Sequence, residues 1–374
     1  MSSTNAGYFF QTTASIAQQA SKKAKVQNKL GNPITLGSKI LALASPANKR
    51  AKIYTAQANG TVTSVDLTTQ LGSQPILSAK APMTCLAIGP SNEIYAGCWD
   101  GNIYSTTTTQ ILTTQTATKV SQEFVKTLLL LTCDKIQILL SGSADGNITI
   151  FTLENGTPTQ RGKTNLNKGS LQALAVDPLS PTVEPIIFAA TSSPTISMLK
   201  LKLSQMGGGY TLSSCGEFTP HETSIYAVFF TDEGDVWTAS ADKTAKLLLR
   251  EEGWRADLSL PHPDFVRDIV VASAAGVVVT GCRDEHVRIW DQGSGALLGV
   301  YKGHYEEITS LFVTERGDEV VSGSIDGTVR TWSLDRGKVA VTMKEDIPPS
   351  AVAVGGVETT AEEDAELAAL LEDD

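Results

Sequence analysis

The sequence predicts an all-β fold class, a single closed seven-bladed β-propeller with flexible N- and C-terminal extensions. The first observation is the segment 304–332, where three short alternating runs are separated by turns that contain Gly and Asp, which is the pattern of β-hairpins. The second is that the same register occurs 42 residues earlier, at 262–290, with His, Asp and Trp at equal offsets. A period of about 40–45 residues that ends in Trp is typical of a propeller blade.

The second and third strands of this repeat can be aligned seven times along the chain. The aligned segments are IYTAQANGTVTSV (53–65), IYAGCWDGNIYST (94–106), LLSGSADGNITIF (139–151), IFAATSSPTISML (187–199), VWTASADKTAKLL (236–248), VVTGCRDEHVRIW (278–290) and VVSGSIDGTVRTW (320–332). Their shared turn position is occupied by Asn59, Asp100, Asp145, Ser193, Asp242, Asp284 and Asp326. Seven copies fall within the usual range of roughly four to eight blades.

Composition divides the chain into three parts. Residues 1–36 are a polar arm that contains Lys, residues 37–346 carry the repeats, and residues 347–374 form a linker and an acidic tail. The Thr-rich run 105–122 predicts the outer strand of blade two, because Thr favours strands. Long hairpin loops are predicted at the rims of blades three and four, over 154–169 and 207–209.

Blade seven needs an outer strand to close the ring, since an open sheet edge invites pairing with other chains. Two segments compete for this position, Tyr8–Ser15 and Val339–Lys344. The second segment follows Trp332 through the turn Leu334-Asp335-Arg336-Gly337, which has the composition of a hairpin turn. We therefore expect Val339–Lys344 to form the outer strand, and residues 1–30 to contribute little to stability.

Charge and composition exclude several function classes. The net charge of −10 argues against a general nucleic-acid-binding surface, although residues 1–65 carry +8 and residues 358–374 carry −8. The five Cys lack the spacing of a zinc site or a disulfide framework, which suits a reducing compartment. No apolar run reaches the roughly 18 residues of a membrane span, and the N-terminus lacks a secretory core. We expect a nuclear or cytoplasmic protein, and Lys22, Lys23 and Lys25 are a candidate nuclear-import patch.

In these features the chain resembles the WD-repeat family of seven-bladed propellers, typified by the G-protein β subunit, over roughly residues 37–345. The resemblance is closest in the sixth and seventh units, which end in Trp290 and Trp332. It implies that four side chains of a blade are joined by hydrogen bonds that satisfy buried polar groups. The matching tetrads are His304, Ser322, Asp326 and Trp332 in unit seven and His262, Thr280, Asp284 and Trp290 in unit six, with His221 and Asp242 as a partial third set.

His, Ser and Asp together are also the components of a hydrolase triad. The same set occurs twice in blade register, which a structural role explains and a single active site does not. Ser322 also lacks a nucleophile-elbow context such as Gly-x-Ser-x-Gly. No cluster of His and Cys has metal-ligand spacing, and no Gly-rich loop matches a phosphate cradle. We therefore predict no catalytic residues, no metal and no cofactor.

The family resemblance also predicts a protein-binding face. In this family the residues just before the turn Asp lie on one face of the ring, near the central channel. Aromatic and Arg side chains are enriched at interaction hot spots, and the fold itself does not require them at these positions. The residues of this type are Trp99, Arg283 and Ile325 just before the turn, together with Phe265, Arg267 and Tyr305, which follow the loop before the first strand of their blades. The alternative for Trp99 is that it packs into the channel wall.

These observations predict a non-catalytic scaffold for protein–protein interactions in a nuclear or cytoplasmic complex, monomeric within that hetero-complex. Partners would bind the propeller face, and the acidic tail 358–374, whose Leu and Ala residues can form a helical stripe, would be a second contact or a solvated segment. One alternative is a nucleic-acid-associated assembly factor in ribosome biogenesis or chromatin, and another is a substrate receptor of a ubiquitin ligase. The receptor pattern Trp-Asp-x-Arg lacks its Arg after both Trp290 and Trp332. We expect no membrane contact and no direct nucleic-acid contact, and an enzyme is the least favoured class.

Overall fold

Seven antiparallel sheets form a closed ring, which confirms the predicted seven-bladed propeller. The computed structural model describes residues 28–46, 51–72, 74–107, 115–154, 156–204 and 209–345. The innermost strand of each blade packs against the innermost strands of both neighbouring blades, and the last blade packs against the first in the same way. The N-terminal candidate strand Tyr8–Ser15 and the acidic tail lie outside the described residues.

The strands follow the predicted repeats from one blade to the next. A short first strand, β1, covers Ile34–Thr35 and belongs to the last blade. Blades one and two then contain β2 (Ile40–Ala44), β3 (Lys52–Gln57), β4 (Thr61–Asp66), β5 (Leu71–Gly72), β6 (Leu77–Ser78), β7 (Met83–Ile88), β8 (Glu93–Cys98), β9 (Asn102–Thr107) and β10 (Thr116–Lys119). Blades three and four contain β11 (Val125–Cys133), β12 (Ile136–Ser143), β13 (Asn147–Glu154), β14 (Thr157–Asn165), β15 (Leu171–Val176), β16 (Ile186–Thr191), β17 (Ile196–Leu203) and β18 (Tyr210–Phe218).

Blades five, six and seven complete the ring. They contain β19 (Ile225–Phe230), β20 (Val236–Ser240), β21 (Thr244–Leu249), β22 (Arg255–Pro261), β23 (Val266–Ala272), β24 (Val277–Cys282), β25 (His286–Asp291), β26 (Leu297–Lys302), β27 (Ile308–Val313), β28 (Glu319–Ser324) and β29 (Thr328–Ser333). A 3-10 turn, Ser273–Ala275, joins β23 to β24, and a helix, α1, covers Arg336–Glu345. Within the described parts of the chain, no helix is long and apolar enough to cross a membrane.

The second and third strands are the best-predicted elements because they are buried on both sides. The central positions of β12 and β24, for example, are buried without interruption. Their apolar clusters combine residues from neighbouring blades, so each blade completes the core of the next. The predicted outer strand of blade two is confirmed as β10, which lies within the Thr-rich run.

The loop predicted over 154–169 is wrong, because β14 occupies Thr157–Asn165 as the outer strand of blade three. Most of its residues are exposed or half-buried, so this strand can be polar throughout and shows no alternation of apolar residues. The loop predicted at 207–209 lies between β17 and β18, and residues 205–208 are outside the described chain.

Ring closure also differs from the prediction. The N-terminal strand β1 is the outer strand of blade seven, with Ile34 opposite Val329 and Thr35 opposite Thr328. Further hydrogen bonds hold the preceding residues, since the Thr331 N–H donates to the Gly31 carbonyl at 2.8 Å. The propeller therefore begins before residue 37. Because Arg330 also binds the carbonyls of Asn28 and Leu30, we now expect that deletion of residues 1–30 lowers stability.

The segment Val339–Lys344, predicted as a strand, instead belongs to helix α1, which packs against β26. The reason lies in Asp335, whose carboxylate accepts from the Lys338 N–H at 3.1 Å, as an N-cap does. Leu334 and Val339 are buried in the cluster shared by blades six and seven. Residues 334–337 have a composition that suits either a hairpin turn or the start of a helix. The helix is formed because it buries Val339 in this cluster.

All seven innermost strands contain a β-bulge at the same position, the second residue of the strand. A bulge re-aims the side chain of its extra residue. These seven residues are called the mouth ring below, and they are Leu41, Thr84, Lys126, Gln172, Tyr226, Arg267 and Thr309.

The closure of blade seven predicts a difference between two glycine variants. Gly31 has a φ of +70°, and a Cβ there would lie 2.7 Å from the Trp332 indole, whereas Gly37 has a φ of +74° and open space around it. Both Gly31→Ala and Gly37→Ala carry the strain of a left-handed backbone, but only Gly31→Ala forces the N-terminal segment off Trp332. We expect Gly31→Ala to lower the free energy of unfolding by about 1–3 kcal/mol more than Gly37→Ala. Urea unfolding of the two variants measures this, and equal losses would mean that the N-terminal segment is not held against blade seven.

Candidate protein-binding face

The blade-seven tetrad is a continuous chain of hydrogen bonds. His304 Nδ1 lies 2.8 Å from a carboxylate oxygen of Asp326, and His304 Nε2 lies 2.7 Å from Ser322 Oγ. The Trp332 indole N–H donates to the same Ser322 Oγ at 2.8 Å. The pattern fits a neutral imidazole that donates from Nδ1 and accepts at Nε2, so every buried polar atom has a partner.

The ionisation of this pair follows from its burial. Desolvation lowers the pKa of His304, and the neighbouring Asp326 opposes that shift without cancelling it. Burial alone would raise the pKa of Asp326, but the hydrogen bonds from His304 and Thr328 outweigh it and hold the pKa below its usual value. The carboxylate therefore stays charged and the imidazole neutral, which suits a structural tie.

Blade five contains two of the three tetrad contacts. His221 Nδ1 lies 2.8 Å from Asp242, and its Nε2 lies 2.7 Å from Thr238 Oγ1. Leu248 occupies the position of the indole and is fully buried. Both ring nitrogens of His221 therefore have a partner, although the sequence predicted only a partial set. The contact to a Trp indole is missing.

Blade six departs from the predicted tetrad. His262 Nε2 and the Trp290 indole N–H both meet Thr280 Oγ1, at 2.8 and 2.9 Å. His262 Nδ1, however, donates to the Leu260 carbonyl at 2.9 Å, so the predicted His262–Asp284 contact is wrong.

Arg288 is the reason for the changed contact, because its guanidinium binds both carboxylate oxygens of Asp284, at 3.0 and 2.5 Å. The equivalent Arg330 of blade seven is turned instead to the carbonyls of Asn28 and Leu30, at 3.1 and 2.5 Å. Blade six has no N-terminal segment to supply such carbonyls. Its arginine therefore takes the carboxylate from the histidine.

The earlier blades satisfy the same buried positions with other residue types. In blade one, the Gln57 amide donates to both Thr55 Oγ1 and Thr63 Oγ1, at 3.2 and 2.8 Å. In blade two, Asp100 accepts from the Tyr104 hydroxyl at 2.6 Å. A search for His and Trp alone could not find these sets, although alignment of the seven strand pairs places them at equivalent positions.

Removal of one carboxylate from blade seven is expected to destabilise the fold. Asp326→Ala would remove the 2.8 Å acceptor of the buried His304 Nδ1–H, leaving only the more distant Thr328 hydroxyl at 3.2 Å, and should cost about 1–3 kcal/mol. Asp100→Ala is the matched control and should cost less, because the Tyr104 hydroxyl is only half-buried and can turn to water. Chemical denaturation measures both, and equal losses would argue against a structural tetrad in blade seven.

His262 is expected to make stability depend on pH. Burial, and next the charge of Arg288, lower the pKa of His262 from 6.5 to about 4. The unfolded chain takes up this proton at a higher pH than the folded chain does, so the contribution is present above pH 6.5 and is lost as the pH falls towards 4. The interval corresponds to about 3 kcal/mol. NMR titration of the His262 ring checks this directly, and a midpoint between pH 6 and 7 would contradict it.

The turn face is the side of the ring that carries the turns between the second and third strands, including Trp99 and Arg283. Trp99 is 53% exposed, which shows that the channel wall does not bury it, and its ring lies 5.5 Å from that of Phe124. The Arg283 guanidinium lies 5.1 Å from the Phe265 ring. Both side chains are therefore presented to solvent on aromatic supports.

A row of aromatic and basic side chains continues from Arg283 towards the channel. The Phe265 ring lies 6.5 Å from that of Tyr226, and the Arg267 guanidinium lies 4.1 Å over the Tyr226 ring. Arg267 also forms an ion pair of 2.5 Å with Glu307. The structure thus brings three predicted residues, Phe265, Arg267 and Arg283, into one row.

The other predicted residues lie on blades two and seven. Trp99 is on blade two, apart from the row. Tyr305 is tied to its own blade, since its hydroxyl donates to the Asp326 carbonyl at 2.9 Å. Ile325 is half-buried, and its N–H donates to the Glu307 carbonyl. The sequence reading missed Tyr226 and Phe124, which alignment of the innermost strands would have placed beside Arg267 and Trp99.

The fold is a seven-bladed β-propeller, and the known proteins that resemble this chain are WD-repeat proteins. The family model described as "WD domain, G-beta repeat" matches residues 258–291 and 295–333, which are the units with Trp at the end of the third strand. A WD repeat-containing protein of Schizosaccharomyces pombe is 28% identical over the whole of both chains. The chain is thus similar to WD-repeat proteins, and two of its seven units match the family model.

Other relatives match only part of their length. The periodic tryptophan protein 2 homolog of Caenorhabditis elegans is 31% identical over 31% of this chain and 13% of its own. WD repeat-containing protein 37 of Mus musculus is 36% identical over 26% of this chain and 20% of its own. The crystal structure of the WD40 β-propeller domain of Doa1 is similar in fold, with a TM-score of 0.68 and 19% identity over 83% of this chain and 98% of that one.

Proposed function

We propose that this protein is a non-catalytic scaffold that binds protein partners on its turn face, in a nuclear or cytoplasmic complex. The observation that carries the proposal is the exposed Trp99 together with the row of Arg283, Phe265, Tyr226 and Arg267 on a closed ring. Exposed Trp and Arg side chains held on aromatic supports are the kind that dominate binding energy at interfaces.

The physical basis is that the residues that stabilise the fold are different from those exposed on the turn face. The tetrad side chains are internal, and none of the contacts described for Trp99 or Arg283 belongs to a tetrad. Propellers of this family generally serve as interaction scaffolds, which agrees with this separation. The turn face can therefore be shaped for a partner without loss of the fold.

The hydrolase alternative is disfavoured by burial. Ser322 is 0% exposed and His304 is 1% exposed, so no substrate carbonyl can reach the Ser322 hydroxyl. In the described part of the chain, no group of three His, Cys, Asp or Glu side chains could hold a metal ion.

Two more specific roles remain alternatives to a general scaffold. A nucleic-acid-associated assembly factor would bind RNA or DNA in a salt-sensitive way that is lost when residues 1–36 are deleted. A ubiquitin-ligase substrate receptor would copurify with a cullin-type ligase. The acidic tail, 358–374, would be a second and weaker partner contact, tethered so that its effective concentration is high.

A double variant tests the turn face. Trp99→Ala with Arg283→Ala should fold normally and lose at least one copurifying partner, with about 2–4 kcal/mol of lost binding. Leu203→Ala is the matched control, because Leu203 is 63% exposed but lies at the opposite end of its strand from the turn. Affinity purification with mass spectrometry compares the variants. Retention of all partners by the double variant, together with their loss on deletion of residues 358–374, would assign binding to the tail.

A further inference from the structure

The mouth ring places two cations at the same level of the channel. Lys126 in blade three and Arg267 in blade six are both bulge residues of innermost strands. Blade three and blade six are separate sheets, three places apart in the ring of seven. The shared bulge position therefore puts one cation on each side of the channel mouth.

Lys126 is a half-buried cation without an anion. No hydrogen bond or ion pair joins its ammonium group to any other described residue, and its only close contact of this kind is the Phe124 ring at 6.0 Å. Burial, and next the charge of Arg267, lower its pKa, and the nearby Cys85 thiol opposes that shift without cancelling it. Arg267, in contrast, is held by Tyr226 and Glu307.

The described innermost strands contain one acidic residue, Asp268, and its carboxylate is already bound elsewhere. Asp268 follows Arg267, and its two carboxylate oxygens accept from the N–H groups of Ile269 and Leu311, at 2.9 and 2.7 Å. Its charge is thus used to hold blade six to blade seven. The channel mouth keeps one positive charge that the fold does not compensate.

Partial removal of an unpaired cation from water lowers the stability of the fold, and no ion pair offsets this loss. A Lys that only covers apolar surface would extend its ammonium group fully into solvent. Lys126 instead remains half-buried beside Phe124, which in turn supports the exposed Trp99. This arrangement resembles a binding site that has been left open for an anion next to an apolar surface.

We propose that Lys126 anchors an acidic side chain of a partner peptide at the channel mouth, with a neighbouring apolar side chain on Trp99 and Phe124. The proposal rests on the turn face as the partner-binding surface and names the chemistry of the ligand. A carboxylate carries one charge, which matches the one uncompensated cation. A phosphate group carries nearly two and would meet Glu307 beside Arg267.

The test uses the full chain and an array of 12-residue peptides that combine apolar residues with one Glu, with Gln and phosphoserine versions of each. Wild-type protein should bind a subset of Glu peptides at least tenfold more tightly than their Gln versions. Lys126→Met, with Lys126→Gln as a second charge-removing variant, should lose at least tenfold, while Lys126→Arg should stay within about threefold. Equal binding of Glu and Gln peptides, or of wild type and Lys126→Met, would overturn the proposal, and so would preference for phosphoserine.

Stability separates a ligand-binding Lys126 from a structural one. Lys126→Met keeps the length of the side chain and removes an uncompensated charge, so its melting temperature should equal or exceed that of the wild type. A fall of five degrees or more would show that Lys126 supports the fold, and the proposal would then be wrong. If deletion of residues 358–374 raises the affinity for Glu peptides tenfold, the chain's own tail occupies the mouth, and the partner assignment is wrong.

Partner recovery distinguishes this proposal from the proposed function. If the Trp99→Ala and Arg283→Ala double variant loses a partner and Lys126→Met does not, the turn face binds proteins without an acidic anchor. If neither variant loses a partner, the turn face itself is not the binding surface.

Discussion

The buried guanidinium of Arg330 is the interaction on which the rest of the propeller depends. It is 1% exposed, and its hydrogen bonds run to the carbonyls of Asn28 and Leu30, nearly the whole length of the chain away. A strand from the first part of the chain covers the edge of the last sheet, which would otherwise be open to pairing with other chains. Because Arg330 holds that part, β1 pairs with β29, and Gly31 fits against the Trp332 indole.

The acceptors that the arginine at this position binds also determine which partner the tetrad histidine has. In blade seven, Arg330 is satisfied by carbonyls, which leaves Asp326 free to hold His304. In blade six, Arg288 takes Asp284, and His262 turns to a backbone carbonyl. Two blades that share His, Asp, Arg and Trp at equivalent positions thus form different networks, and only one of them borders the N-terminal segment.

Function is expected where the fold makes no demand on the side chain. The tetrads and the inter-blade clusters fill the interior, and the turn face remains for exposed side chains such as Trp99 and Arg283. The bulges of the innermost strands extend this freedom to the channel mouth, because they re-aim one side chain per blade. Some of these side chains join neighbouring blades by a hydrogen bond, as Thr309 does when it donates to the Ile40 carbonyl. Lys126 contacts the Phe124 ring of its own blade and forms no such bond among the described residues.

The sequence by itself determined the seven repeats, the second and third strands of each blade and the residues of the blade-seven tetrad. These features follow from alternation, turn residues and fixed spacings within about 30 residues, and such short-range patterns are visible in the letters. Only the tertiary structure decided that Ile34–Thr35 closes the ring, that Val339 lies in a helix and that Asp284 binds Arg288. Each of these outcomes depends on which groups the folded chain brings together and which of them bind the same partner. Such tertiary contacts produce no periodic pattern in the local sequence.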